Sequence, residues 1–334
     1  MARRVILQGW FGMNNFGDDL LLEITLKHLL KHVENVRIDV IGEGRDRPAF
    51  LPADVKYLPR ASRIWAWLRR RWLRSGADWV LCGGSVLQES ILQRFIEPAS
   101  EVKRAGGRVF LHAIGLRDMM MLTPQVKSLM AHVDGCSLRE RYAWELLSDS
   151  WPVELVADPV FSINLPATTE TNGTLLVALR GGEELESHME NFVCWLTSVA
   201  NAYTSIDLMV CFPAQDGLVS RRIAHLLVGF NVNILEDSSA HKLATRVAAA
   251  DQVVTMRLHP AIVALAAGKV PWVLAPEHKQ RALMSDIGRE DHLLSWDQLD
   301  QMLGGLPDSG VDMDAFKIEG HRSLELLTDW ISDG

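Results

Sequence analysis

The chain has 334 residues, 48% of them hydrophobic and 23% charged, with 24 glycines and 13 prolines; this excludes a disordered or low-complexity polymer and allows a large core in about two domains. A net charge of −8 leaves no chain-wide positive field for a nucleic-acid backbone, so no nucleic-acid partner is expected and any anionic ligand must be held by local basic residues. The four cysteines, Cys82, Cys136, Cys194 and Cys211, stand far apart without zinc-ligand spacing, so no metal site is expected and a reduced, cytoplasmic setting fits best.

In chain order, the first apolar run after the N-terminal arginines is too short for a signal-peptide core. Short β-branched runs then alternate with segments of helical period, the pattern of βαβ units on a parallel sheet. Strands are predicted at Arg4–Gly9, Val36–Gly42, Asp78–Cys82, Arg108–Ile114, Gly135–Leu138 and Val153–Ala157. Between the first two, Asp18–Val33 reads as a helix with Leu21, Leu22, Thr25, Leu29 and Leu30 on its core face.

The first strand-to-helix turn, GWFGMNNFGDD from Gly9 to Asp19, lacks the Lys-Ser/Thr of a phosphate loop, and its acids would repel phosphate. Gly12 and Gly17 are expected to make the turn and Asp18 to cap the helix; the other reading has Asn14, Asn15 and Asp18 lining a sugar-binding cleft. The segment Arg60–Arg74 holds six arginines and three tryptophans. As a helix it places Ala61, Ile64, Trp65, Leu68 and Trp72 on one stripe, which suits either an anionic membrane surface or packing on its own domain.

Cys82-Gly83-Gly84-Ser85 leaves a strand and enters a helix, so its backbone N–H groups are candidates to receive an anion, with close strand-to-helix packing the other explanation. His112, among apolar residues, reads as a satisfied core histidine. Arg139 stands where a strand ends and a helix starts. It is either an anion fork or an ion-pair partner of nearby Glu140.

Asn164–Gly173 collects Pro, Thr, Asn and Gly without periodicity and is the expected linker. It separates a first domain, 1–165, from a second, 174–310, leaving 311–334 as a C-terminal helical tail. Strands resume at Thr174–Leu179, Ile206–Phe212, Asn231–Leu235, Gln252–Thr255 and Pro271–Leu274, with helices near Glu183–Ala202, Gly217–Val228, Ala240–Ala249, Pro260–Ala267 and Lys279–Ile287. No stretch, including Ala261–Pro276, supplies the about 20 apolar residues that a spanning helix needs. The expected fold is therefore α/β, two doubly wound Rossmann-like domains facing across a cleft, with chemistry at the carboxyl ends of the strands.

Three features mark those ends in the second half. Arg180 closes a strand ahead of Gly181-Gly182, and is either an anion fork or an ion-pair partner of Glu183. Met256-Arg257-Leu258-His259-Pro260 puts an arginine fork beside a histidine that titrates near neutrality, an anion clamp and an acid/base in one turn. Lys279 adds a cation after the next strand.

Together GWFGMNNFGDD, VLCGGSVLQES, AIGL, CSLRERYAWELL, VADPVF, ALRGG and MRLHPAIVALAAGKVPWVLAPEHK resemble the polysaccharide pyruvyl transferase family over nearly the whole chain. The resemblance implies a GT-B-like pair of domains that transfers pyruvate from phosphoenolpyruvate to a saccharide as a cyclic ketal. It also implies a donor site containing Arg257 and His259, with Arg139 and Lys279 contributing. Phosphoenolpyruvate carries a carboxylate and a phosphate, so convergent cations are required, and Arg180 and the Gly83-Gly84-Ser85 turn join the donor candidates. Asn14, Asn15 and Asp18 are the acceptor candidates. No cofactor is called for, and the expected partners are phosphoenolpyruvate and a saccharide acceptor, free or lipid-linked, with Arg60–Arg74 either contacting a membrane peripherally or packing on its own domain. Two alternatives stand beside this reading: a nucleotide-sugar glycosyltransferase of the same architecture, and a non-catalytic sugar-binding relative.

Overall fold

The computed structural model describes residues 3–60, 63–84, 89–115, 123–165, 173–236, 239–303 and 312–333. Its elements begin with β1 (Arg3–Gly9), α1 (Phe16–His32), β2 (Val36–Gly42), β3 (Lys56–Pro59), α2 (Arg63–Leu73) and β4 (Asp78–Cys82). They continue with α3 (Glu89–Arg104), β5 (Val109–Ile114), α4 (Pro124–Met130), β6 (Gly135–Leu138), α5 (Arg141–Ser148) and β7 (Val153–Leu155). Next come β8 (Thr174–Ala178), α6 (Glu183–Val199), β9 (Ser205–Met209), α7 (Pro213–Leu226), β10 (Val232–Leu235) and α8 (Ala240–Ala249). The chain closes with β11 (Gln252–Thr255), α9 (Leu258–Ala266), β12 (Trp272–Leu274), α10 (His278–Asp286), β13 (Leu293–Leu294) and α11 (Asp314–Ser332).

Two compact units result. One comprises residues 1–13, 18–162 and 316–334, and the other residues 14–17 and 163–315. The first holds a parallel sheet in the order β3-β2-β1-β4-β5-β6-β7, and the second a parallel sheet in the order β10-β9-β8-β11-β12-β13. In both, the order reverses beside the unit's first strand, which is the topological switch of a doubly wound sheet. The α/β class read from the sequence is the observed one.

Alternation sorts the first sheet's side chains between two layers. Ile6, Trp79, Leu81 and Leu111 pack with Leu92, Phe95, Val126 and Leu147 on one face, while Val5, Leu7, Val80 and Phe110 pack with Leu22, Leu26, Leu327 and Ile331 on the other. The C-terminal helix, expected as a separate tail, thus belongs from Phe316 onward to the first unit. Trp330 stacks on Phe110 with ring centroids 5.5 Å apart, and Arg108 donates to Ile331 O at 3.1 Å. In the second unit Leu175, Val177, Ile206 and Leu208 pack with Leu185, Phe192, Leu196 and Ile223.

Some local expectations shift. β3 and β13 were not foreseen, being four and two residues long at sheet edges. The strand expected over Ile206–Phe212 ends at Met209, because Asp216 accepts the Phe212 N–H at 2.9 Å and starts α7 at Pro213. Of the expected linker, residues 166–172 lie outside the described residues, as does Ser85 of the glycine turn.

Candidate functional site

The second unit builds its site from strand register. Thr255 of β11 pairs with Ala178 of β8, so Arg257 and Arg180, each two residues further on, leave the sheet side by side at the switch point. Thr255 fastens this crossing, its hydroxyl donating to Ala178 O at 3.2 Å and accepting the Arg257 N–H at 2.8 Å. Arg257 then stands as the extended N-cap of α9, at φ −112° and ψ 140°.

One buried acid organises these strand ends. Asp216 is fully buried and accepts the Phe212 N–H at 2.9 Å, the Gly181 N–H at 3.2 Å and a bond from Arg257 Nη2. Gln215 accepts from the same Nη2 at 2.9 Å and donates to Gly181 O at 2.9 Å. The guanidinium is therefore aimed from behind, while its buried Nε has no hydrogen-bond partner among the described residues. Gln280 repeats the pattern, donating to Met256 O at 3.0 Å with its buried Oε1 unpartnered among the described residues. Buried polar atoms without partners are costly and mark places where a ligand can supply the missing bond.

His259 follows in the first turn of α9 and is half-buried. Residues 14–17 belong to this unit: the Phe16 N–H donates to Cys211 O at 2.8 Å, and a Cβ added at Gly17 would overlap the His259 ring at Nδ1. Gly17 lies inside α1 and makes no turn, which corrects its expected role; it is the space His259 occupies. The helix cap is Asn15, whose Oδ1 accepts the Gly17 N–H at 3.3 Å, rather than Asp18. Asn14, at φ 55°, is exposed.

Arg180 does not pair with Glu183. Its Nη1 meets Glu277 Oε1 and its Nη2 lies 3.5 Å from Glu184 Oε2. Lys279 Nζ lies 3.7 Å from the other oxygen of Glu277. The second unit thus brings Arg180, Arg257, His259 and Lys279 to one sheet edge.

Arg139, Gly83, Gly84 and Asp18 belong to the first unit. Arg139 takes the ion-pair reading, with Asp158 Oδ2 at 2.6 Å as its nearer partner and Glu140 at 3.6 Å. Burial works against its charge, but Asp158, Glu140 and Asp18 outweigh this and hold its pKa above the ordinary value. Only 4% of its side chain is exposed. The anion-receiving reading of the glycine turn fails at Gly83, whose N–H is spent on His112 O at 2.8 Å. Close packing explains both glycines: they have φ of +55° and +70°, and added Cβ atoms would meet Leu21 and Trp10. His112 is buried as expected but not satisfied, since neither ring nitrogen has a partner among the described residues.

The basic helix α2 packs on its own unit. Leu73 is core, Leu68 and Trp72 lie against it, Arg74 pairs with Glu101 at 2.6 Å and Arg70 with Glu97 at 3.4 Å. Trp67 stays 63% exposed beneath the Arg71 guanidinium, 5.7 Å from its ring centroid. Ala61 and the side chains of Ile64 and Trp65 lie outside the described residues.

Among the described residues no group of three or more His, Cys, Asp or Glu is arranged to hold a metal ion, and no helix is long and apolar enough to cross a membrane.

The fold is of the two-domain, Rossmann-like GT-B class, with cations gathered at the switch point of its second unit. Among solved structures, UDP-GlcNAc 2-epimerase from Methanocaldococcus jannaschii is similar at a TM-score of 0.66, with 13% identity over 98% of this chain and 99% of that one. The Neisseria meningitidis UDP-GlcNAc 2-epimerase bound to UDP-GlcNAc is similar at a TM-score of 0.59, with 11% identity over 99% and 100% of the two chains. These likenesses bear on the fold alone. A search of curated proteins by sequence finds no match. The family model for polysaccharide pyruvyl transferases matches residues 15–278, and the chain belongs to that family.

Proposed function

We propose that the protein transfers pyruvate from phosphoenolpyruvate to two hydroxyls of a saccharide, forming a cyclic ketal in exopolysaccharide or cell-envelope synthesis. Family membership supports the transfer of pyruvate to a saccharide, and the observation that carries the donor assignment is Arg257. It is a fork anchored on one nitrogen by buried Asp216, has an unpartnered buried Nε, and stands two residues before His259. A small dianionic donor supplies what that edge lacks.

In this reading Arg257, with Arg180 and Lys279, holds the carboxylate and phosphate of the donor. His259 as imidazolium gives a proton to the methylene carbon, and positive charge develops at the adjacent carbon beside the donor's own anionic groups. Two acceptor hydroxyls add there in turn while the phosphate leaves. Of the two hydroxyl protons, one replaces the proton lost by His259 and the other departs with phosphate. Asn14, Asn15 and Asp18 are assigned to the acceptor, which is carried on a lipid. The exposed Trp67 and Arg71 of α2 bring the protein to an anionic bilayer at the inner face of the membrane.

The leaving group tests this against the glycosyltransferase alternative. Incubation with phosphoenolpyruvate and acceptor releases phosphate, whereas a nucleotide sugar gives no nucleoside diphosphate. The opposite outcome selects the alternative.

A further inference from the structure

Arg180, Lys279 and Glu277 form a cluster whose central acid does an unusual job. Glu277 is the N-cap of α10, yet its side chain makes no capping bond. Its two oxygens go instead to two different cations, Oε1 to Arg180 and Oε2 to Lys279 at 3.7 Å. The turn that delivers it passes through Ala275 at φ 45°, a left-handed conformation that a non-glycine residue adopts only when its surroundings enforce it. A carboxylate bridging an arginine and a lysine has the geometry that a substrate carboxylate or phosphate would take between the same two side chains.

The site's ion pairs differ in how easily they exchange. The acid of Arg257–Asp216 is wholly buried and held by two backbone N–H groups; it is fixed. Arg180, Lys279 and Glu277 keep 25%, 30% and 39% of their side chains exposed, and part-exposed pairs are weak enough to yield to an incoming anion.

We propose that Glu277 is an internal competitor for the anion seat of Arg180 and Lys279, a latch that a doubly charged anion displaces. The inference rests on the donor reading for its natural ligand, but its physics concerns any small phosphate- or carboxylate-bearing anion. Glu277 thereby sets selectivity: singly charged anions fail to displace it, and without it the two cations accept anions with less discrimination.

The test is calorimetric titration of wild type, Glu277→Gln, Arg180→Gln and the double variant with phosphoenolpyruvate and, separately, with inorganic phosphate, circular dichroism confirming folding. Glu277→Gln is expected to tighten both ligands by about three- to fivefold, the scale of a part-exposed ion pair, and this gain should vanish in the Arg180→Gln background. Unchanged or weaker binding of both ligands in Glu277→Gln overturns the latch, as does a gain that survives without Arg180. If phosphate tightens as expected but phosphoenolpyruvate does not bind wild type, the latch stands and the donor reading falls. If neither ligand binds wild type or Glu277→Gln, both fall.

Discussion

Arg257 and Asp216 form an ion pair in which the acid is completely buried while the base keeps 18% of its side chain exposed. The acid is fixed from two other strand ends through Phe212 and Gly181, so the arginine is pointed rather than merely neutralised. Replacing Arg257 by Lys puts a point charge where a fork stood. Affinity for phosphoenolpyruvate is expected to fall by about 1.5–3 kcal/mol, the scale of a hydrogen bond to a charged group, as read by titration. Asp216→Asn should act in the same direction, since Arg257 loses its anchor. Wild-type affinity in Arg257→Lys would remove this residue from the donor site.

Gly17 carries a second prediction. Alanine is favoured over glycine in a helix by about 1 kcal/mol, so Gly17→Ala taken by itself should firm α1. Its methyl would nonetheless occupy the place of the His259 ring. Displacing an acid/base by about an ångström can cost about 10²-fold in rate, so turnover should collapse in a protein that melts normally. Full turnover in Gly17→Ala would show that His259 needs no such seat.

His112 makes the fold acid-sensitive. Burial lowers its pKa from 6.5 to about 3, against the pull of Asp158, so below pH 6.5 the unfolded chain takes up a proton that the folded chain refuses. The stability is present above that value and is lost as pH falls toward 3, by about 2 kcal/mol between pH 7 and pH 5. His28, lowered to about 4 by burial and by His32, His321 and Lys31, works in the same direction. Asp19, raised to about 6 by burial against the Gly12 N–H, works oppositely, its contribution being lost as pH rises through 6. Urea unfolding of His112→Phe at pH 5 and pH 7 should show a flatter pH dependence than wild type; equal slopes would mean that His112 titrates normally in the fold.

For α2 the structure narrows which residues can meet a bilayer. Among the described side chains, Arg74 is tied to buried Glu101, Arg70 pairs with Glu97 and Trp72 packs inward with Arg4 over its ring, 5.3 Å from the centroid, whereas Trp67 and Arg71 are exposed with no acid beside them. Co-sedimentation with anionic vesicles at low salt should be reduced by Trp67→Ser with Arg71→Gln, and wild-type binding should weaken as salt shortens the Debye length. Failure of wild type to sediment with the vesicles would make α2 an ordinary surface helix.

What could be read from the sequence followed the range of the interactions. β1, β4, β5, β8 and β11 are runs of buried apolar residues and were placed to within a residue, whereas β3, with exposed Lys56 at a sheet edge, and the two-residue β13 carry little pattern. Arg257 and His259 were legible because their chemistry sits within three consecutive residues. Asp216 was not, because in sequence it is a lone acid just before a helix expected to start at Gly217; its role comes from the pairing of β8 with β11, which delivers Gly181 and Arg257 to it. Glu277 was missed for the same reason. Gly17 was read as a turn glycine because the side chain that needs its space lies over 240 residues away in the sequence.

The most direct measurement is mass analysis of a pool of cell-envelope saccharides incubated with the protein and phosphoenolpyruvate, with released phosphate assayed in parallel. An acceptor should gain one pyruvate less one water, with one phosphate released for each, and His259→Gln should abolish both signals while still binding phosphoenolpyruvate. Undiminished turnover in His259→Gln, or a saccharide mass gain that needs a nucleotide sugar and not phosphoenolpyruvate, would contradict the assignment.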